Sequence, residues 1–210
     1  MRRALLWLVA TASALLALAA PSSATQVIHA EFNGPFAAGV WSNITANSET
    51  DTVLFVSTGN SPELFIDQFT ANFDINHHFT GGTETRVENV TSGFSFHMKQ
   101  PLANADLTAS GLPATTCTYD ASFNQIGCTG TTIDANASWI GQGPINHTSV
   151  TDRFTSNGFT EIDHGNGSIR DATATGTVGG FTLTASDLDF ALLEKENFAG
   201  VVICLGTSSC

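Results

Sequence analysis

Alternation of apolar or aromatic residues with polar ones at period two is the feature that most limits what this chain can fold into. It is explicit in Arg86-Val87-Glu88-Asn89-Val90, in Phe94-Ser95-Phe96-His97-Met98 and in Phe181-Thr182-Leu183-Thr184. A strand turns successive side chains to opposite faces, so this pattern builds half-buried sheet and cannot build an amphipathic helix. Val53-Leu54-Phe55-Val56 leads to the breaker cluster Thr58-Gly59-Asn60-Ser61-Pro62, and a second run carries Leu64, Ile66, Phe69 and Phe73. Breaker clusters recur about every 8–12 residues, the rhythm of sandwiches and barrels. One segment is ambiguous. A helix beginning at Ser186 would put Leu188 and Leu192 on one face, but Leu188, Phe190 and Leu192 also alternate with Asp187, Asp189 and Ala191, which favours a strand. The expected fold is all-β, a single-domain β-sandwich or barrel.

The first residues predict export. Arg2 and Arg3 precede an apolar run from Ala4 to Ala20, Pro21 breaks it, and Ser22-Ser23-Ala24 offers small residues for cleavage after Ala24. The alternative, an uncleaved anchor, needs about 20 strongly apolar residues, whereas this run has 17 and is rich in alanine. Residues 1–24 are therefore read as a signal peptide and 25–210 as one secreted domain with no membrane span. Without the leader, five basic residues face 19 acidic ones, a net charge of 5 − 19 = −14. Phosphate backbones are bound by displacing counterions with Lys and Arg, so nucleic acid is excluded as a partner. The same charge favours a soluble monomer.

Cys117, Cys128, Cys204 and Cys210 make an even set in an exported chain, which reads as two disulfides. Of three pairings, spacing favours Cys117–Cys128, closing a hairpin tipped by Asp120-Ala121-Ser122-Phe123-Asn124, and Cys204–Cys210, tying down the end. Tyr119 should pack on that hairpin.

One offset recurs when the chain is slid along itself. Ile75-Asn76-His77 and Ile162-Asp163-His164, Gly93-Phe94-Ser95-Phe96 and Gly180-Phe181-Thr182-Leu183, and Cys117 and Cys204 are each 87 apart, and two neighbouring matches lie at 85 and 89. This suggests two duplicated halves, 44–117 and 133–204, sharing one core. Phe94, Phe96, Phe181 and Leu183 should then all point inward, and His77 and His164 should occupy equivalent turns.

The chemistry-bearing residues are unspecific. Gly-x-Ser-x-Gly, His-Glu-x-x-His and phosphate-loop signatures are absent. Asp74-Ile75-Asn76-His77-His78 and Asp163-His164-Gly165-Asn166-Gly167 contain metal-ligand types but suit turns better, so neither metal nor cofactor is assigned. Glu63, Asp67, Glu84, Glu88, Glu161 and Asp163 fall on predicted strands and could supply the facing carboxylates of a glycoside hydrolase or lyase. Solvated strand faces are the better reading of them. Trp41 and Trp139 could stack on sugars but belong more naturally in a core. Asn43, Asn89, Asn136, Asn146 and Asn166 head Asn-x-Ser/Thr triplets, relevant only where the host glycosylates. Three classes remain: a non-catalytic extracellular binding or structural module, which is favoured; a carboxylate-dependent hydrolase or lyase on polysaccharide; and a metal-binding module. Catalytic residues are not assignable from sequence.

Overall fold

The computed structural model describes residues 26–156 and 159–204. They form 11 strands: β1 (Gln26–Ile44), β2 (Ser48–Ser57), β3 (Glu63–Phe73), β4 (Phe79–Val90), β5 (Phe94–Lys99), β6 (Asn104–Tyr119), β7 (Gln125–Gly141), β8 (Asn146–Ser156), β9 (Phe159–Val178), β10 (Phe181–Leu183) and β11 (Leu188–Cys204). The all-β expectation holds, and the ambiguous segment after Ser186 is strand. No helix among the described residues is long and apolar enough to cross a membrane.

The strands make one antiparallel sheet. Hydrogen-bonded neighbours run β9–β11–β1–β2–β3–β4–β6, and β7 pairs both β6 and β9, so the pairings return to their start. This closed circuit is the connectivity of a barrel, in which central strands have no free edge. β5 pairs residues 104–109 of β6, while β4 pairs residues 115–119 of the same strand. The short β10 pairs the end of β9, and β8 pairs β9.

The chain divides into two compact units. The larger holds residues 33–148 and 167–196; the described part of the smaller holds residues 26–32, 149–156, 159–166 and 197–204. In the larger unit, alternation delivers one face of each strand to a common core: Leu54 and Val56 from β2, Leu64 and Ile66 from β3, Val87 from β4, Leu107 from β6, Ala137 from β7 and Leu193 from β11. Each fully buried leucine, isoleucine or valine contributes about 1.5–3 kcal/mol relative to exposure. Trp41 and Trp139 are core residues, as expected, and their indole N–H groups find backbone acceptors: Trp41 Nε1 donates to Ala174 O at 3.3 Å and Trp139 Nε1 to Ala38 O at 3.0 Å. The Trp41 ring lies over Gly39, leaving no room for a side chain there. Threonines buried on the inner face pair across strands, Thr50 with Thr70 at 3.0 Å and Thr52 with Gln68 at 3.0 Å, so their hydroxyls do not go unsatisfied.

Phe96 and Leu183 are buried in this core, and Phe94 and Phe181 pack against it, the inward parity that the sequence suggested. Two related halves do not follow from it. β5 pairs β6, whereas β10, its counterpart by the 87-residue offset, pairs β9. The paired turns also fail to correspond. Residues 74–78 are a hairpin turn, but residues 163–167 run as continuous strand inside β9, with His164 in that strand. β11 passes close there: a side chain at Gly165 would crowd Asn197 O at 3.2 Å. Cys117 and Cys128 are bonded and lie directly opposite across β6 and β7. The expected Cys204–Cys210 bond lies outside the described residues.

Candidate functional site

Two hairpins of the larger unit lie side by side because β4 pairs β6: β3–β4 turns at residues 74–78 and β6–β7 at residues 120–124. Their turns are built alike. In the first, Asp74 Oδ1 accepts from Asn76 N at 2.8 Å and His78 N at 2.9 Å, Asp74 N donates to His78 O at 2.9 Å, and His77 N to Asp74 O at 3.0 Å. In the second, Asp120 Oδ1 accepts from Ser122 N at 2.8 Å and Asn124 N at 2.9 Å, Asp120 N donates to Asn124 O at 3.0 Å, and Phe123 N to Asp120 O at 3.0 Å. The fourth residue of each turn is left-handed, His77 at φ 61° and Phe123 at φ 60°. An aspartate that closes its own turn is the physical reason such sequences reverse there. The amide of His78 holds Asp74 below the usual carboxylate range, and that of Asn124 does the same for Asp120.

These turns present apolar groups to solvent. Phe123 stacks on Phe79 with centroids 3.9 Å apart and planes 6° from parallel, and Phe73 meets Phe79 edge-on at 6.3 Å. Phe123 is 61% exposed, Ile75 90% and Ile126 67%. Asn76, His77, His78 and Asn124, in the same two turns, are exposed. A bulky residue at positive φ is rare and costly, and Phe123 combines that cost with solvent exposure of its ring.

Below the turns, the outer face of β3, β4 and β6 carries a polar network. Arg86 donates to Glu84 at 2.6 Å and faces Asp67 at 3.5 Å and Glu88 at 3.9 Å. Tyr119 OH donates to the other oxygen of Glu84 at 2.6 Å and its ring meets Phe69 edge-on at 5.9 Å. The bond to Glu84 raises the Tyr119 phenol above its ordinary range. Burial raises Asp67 in spite of Arg86, and Asp67 Oδ1 is buried without a partner. Of the carboxylates singled out in the sequence, Asp67, Glu84 and Glu88 therefore gather around one cation. Glu63 opens β3 opposite Ser57, and Glu161 and Asp163 lie on β9. Among the described residues no three His, Cys, Asp or Glu side chains are arranged to hold a metal ion. His78 Nδ1 lies 3.3 Å from Asp74 Oδ2, and that exposed pair is all the first histidine turn assembles.

Sequence reasoning passed over Phe79, Phe123, Ile75 and Ile126. A signal existed: Asp120-Ala121-Ser122-Phe123-Asn124 is a turn by its polar residues, and a phenylalanine at the tip of such a turn is out of keeping with them. It also passed over Glu194, which is buried beside Glu196 on β11. Burial, then the hydrogen bond with Glu196, pushes Glu194 up to about 9, and its Oε2 has no partner.

No family model matches the chain, and neither a curated protein nor a solved structure matches it.

Proposed function

We propose that this is a secreted, non-catalytic binding module that holds an uncharged polysaccharide at the two-hairpin end. Export is supported by the leader, Arg2-Arg3 followed by the apolar run to Ala20, and by the disulfide, since such bonds persist in oxidising compartments. The observation that carries the binding reading is the Phe79–Phe123 stack, with Phe123 61% exposed on a turn braced by Asp120. A sugar ring has a flat C–H face and a rim of hydroxyls. It is matched by a flat aromatic ring with hydrogen-bonding side chains alongside, here Asn76, His77, His78 and Asn124. Without the leader the net charge of 5 − 19 = −14 repels polyanions and anionic lipid surfaces, which leaves an uncharged polymer as the fitting partner.

The test is co-sedimentation of the mature protein with insoluble cellulose, chitin and mannan. Retention on at least one is expected, with Phe123→Ala weakening it about tenfold, equivalent to about 1.4 kcal/mol. No retention on any of them, or unchanged retention of Phe123→Ala, overturns the reading.

A second reading, a carboxylate-dependent hydrolase or lyase, is favoured by one contrast. Asp67 is raised by burial, while Glu84, nearby on the same face, accepts from both Arg86 and Tyr119. Unlike environments for two carboxylates are what acid–base work requires. It ranks second because Arg86 already bridges these carboxylates as a surface ion network does. Release of reducing ends or of unsaturated product from the same polymers, lost in Asp67→Asn, would place it first.

A further inference from the structure

We propose that the two-hairpin end continues as one linear site along the outer face of β3, β4 and β6, where a straight, uncharged polysaccharide chain rests on two separate aromatic stations. The inference rests on the polysaccharide reading and adds to it the extent of the site, a second set of contact residues and the shape of the polymer. Phe69, Ala71 and Phe73 have the opposite parity to Leu64 and Ile66, the core residues of β3, so alternation turns them to the outer face. Residues opposite one another across a ladder share a face. Phe73 lies opposite Phe79, Ala71 opposite Gly82 and Phe69 opposite Glu84; on the next strand Gly82 lies opposite Tyr119. The register shift between Asn72 and Phe73 places its extra residue, Thr80, on β4 and leaves Phe73 and Phe79 in edge-on contact.

The first station is the Phe73–Phe79–Phe123 group at the turns. The second is Phe69 with Tyr119, edge-on at 5.9 Å and both half-buried. Between them the floor is low. Ala71 and Gly82 are buried, and the Phe69 ring lies over Gly82, where a Cβ would meet its Cζ at 2.9 Å. A glycine at that point lets the ring lie on the sheet instead of standing away from it, which keeps one ring face for a ligand. Beside Tyr119, Glu84 offers carboxylate acceptors and Arg86, whose side chain is 47% exposed, offers donors for sugar hydroxyls.

Four residues of β3 separate Phe69 from Phe73, about 13 Å of strand. That exceeds the length of one sugar ring, so a single unit reaches one station and only a chain reaches both. The stations follow one strand direction on one face. The chain that fits is therefore one whose rings lie in a straight ribbon, as equatorial linkages give in cellulose, chitin and mannan; a coiling chain such as that of starch leaves the face after one station. Charge decides against polymers of uronic acids, because Asp67, Glu84 and Glu88 outnumber Arg86 at the second station.

The experiment is calorimetric titration of the mature, oxidised protein with soluble oligosaccharides of one to six units from cellulose, chitin and mannan. In the series that binds, the hexasaccharide should bind at least about tenfold more tightly than the disaccharide, and at least about tenfold more tightly than the hexasaccharide of starch. Phe69→Ala should weaken the hexasaccharide about tenfold and leave the disaccharide, held at Phe79 and Phe123, within about twofold. Tyr119→Ala should do the same and covers a failure of the Phe69 variant to fold. Tyr119→Phe keeps the ring without the bond to Glu84 and should bind the hexasaccharide as the native protein does. Phe123→Ala should weaken every length. Weakening by Phe123→Ala with no effect of either Phe69→Ala or Tyr119→Ala overturns the second station and leaves the polysaccharide reading standing. Equal loss of disaccharide and hexasaccharide in those two variants, or equal binding of the straight and coiling hexasaccharides, also overturns the proposal. If no hexasaccharide binds, the linear site falls, and retention on the insoluble polymers decides the first reading separately.

Discussion

The ring of Phe123 lies flat on that of Phe79, 3.9 Å away, although the two belong to different hairpins. The stack holds a phenylalanine in a left-handed turn position, φ 60°, that favours glycine. Ring and backbone can be separated by mutation. Phe123→Ala keeps the strain and loses the ring; Phe123→Gly loses both. In urea denaturation the glycine variant should be more stable than the alanine variant by about 1 kcal/mol. Both should weaken polysaccharide retention to the same degree, since both remove the ring of the proposed site.

Acid should loosen the two turns before it touches the core. Asp74 and Asp120 have folded pKa values below their unfolded ones, because backbone amides favour the charged form. Their contribution is complete above the unfolded value and is lost as pH falls through the folded one. Amide exchange of Ser122 and Asn124, followed from pH 5 downward, should accelerate beyond the intrinsic rate. In Asp120→Asn the side-chain oxygen still accepts but does not titrate, so the acceleration should be absent.

Glu194 works in the opposite direction. Its folded pKa, about 9, lies above the ordinary value of 4.5, so the folded state holds a proton that the unfolded state has released. The resulting stability is full below the unfolded pKa and drains away as pH rises toward 9. Glu194→Gln preserves shape without a proton to lose. The Tm difference, variant minus native, should therefore grow more positive between pH 5 and pH 8.5. A constant difference would mean that Glu194 does not hold its proton in the folded protein.

Peptide mapping of the unreduced protein should recover Cys117 joined to Cys128. The bond spans a separation of 11 residues, which the chain-entropy model values at about 3 kcal/mol. Because every residue from 121 to 132 is exposed, the effect should be local. Cys117→Ala/Cys128→Ala should raise amide exchange along the β6–β7 hairpin while Trp139, in the core, keeps its native fluorescence.

Much of the fold is written in alternation. Phe94, Phe96, Phe181 and Leu183 face the core because their spacing leaves a strand no other choice once one face is covered. Strand partners are written less plainly: nothing in Phe181-Thr182-Leu183 distinguishes pairing with β9 from pairing with β11. The repeated offset misled for that reason, since shared composition and parity do not specify neighbours. The candidate site was half visible. Asp120-Ala121-Ser122-Phe123-Asn124 reads as a turn, and Asp67, Glu84 and Glu88 read as strand acids. That β4 lies against β6, bringing Phe79 under Phe123 and Tyr119 onto Glu84, is a long-range pairing that local chemistry does not encode.

The closed pairing circuit also sets an order of events in time. β11 pairs β1 on one side and β9 on the other, so the strand nearest the start waits for the one nearest the end. A chain emerging gradually can form the β2–β3–β4 meander early, but β1 keeps an open edge until residue 188 and those after it arrive. Folding with such distant partners is slow, and its half-made forms expose pairing edges to one another. Completion therefore resembles the fastening of a clasp: a chain stopped before β11 would stay open and aggregate, however well its earlier strands had formed.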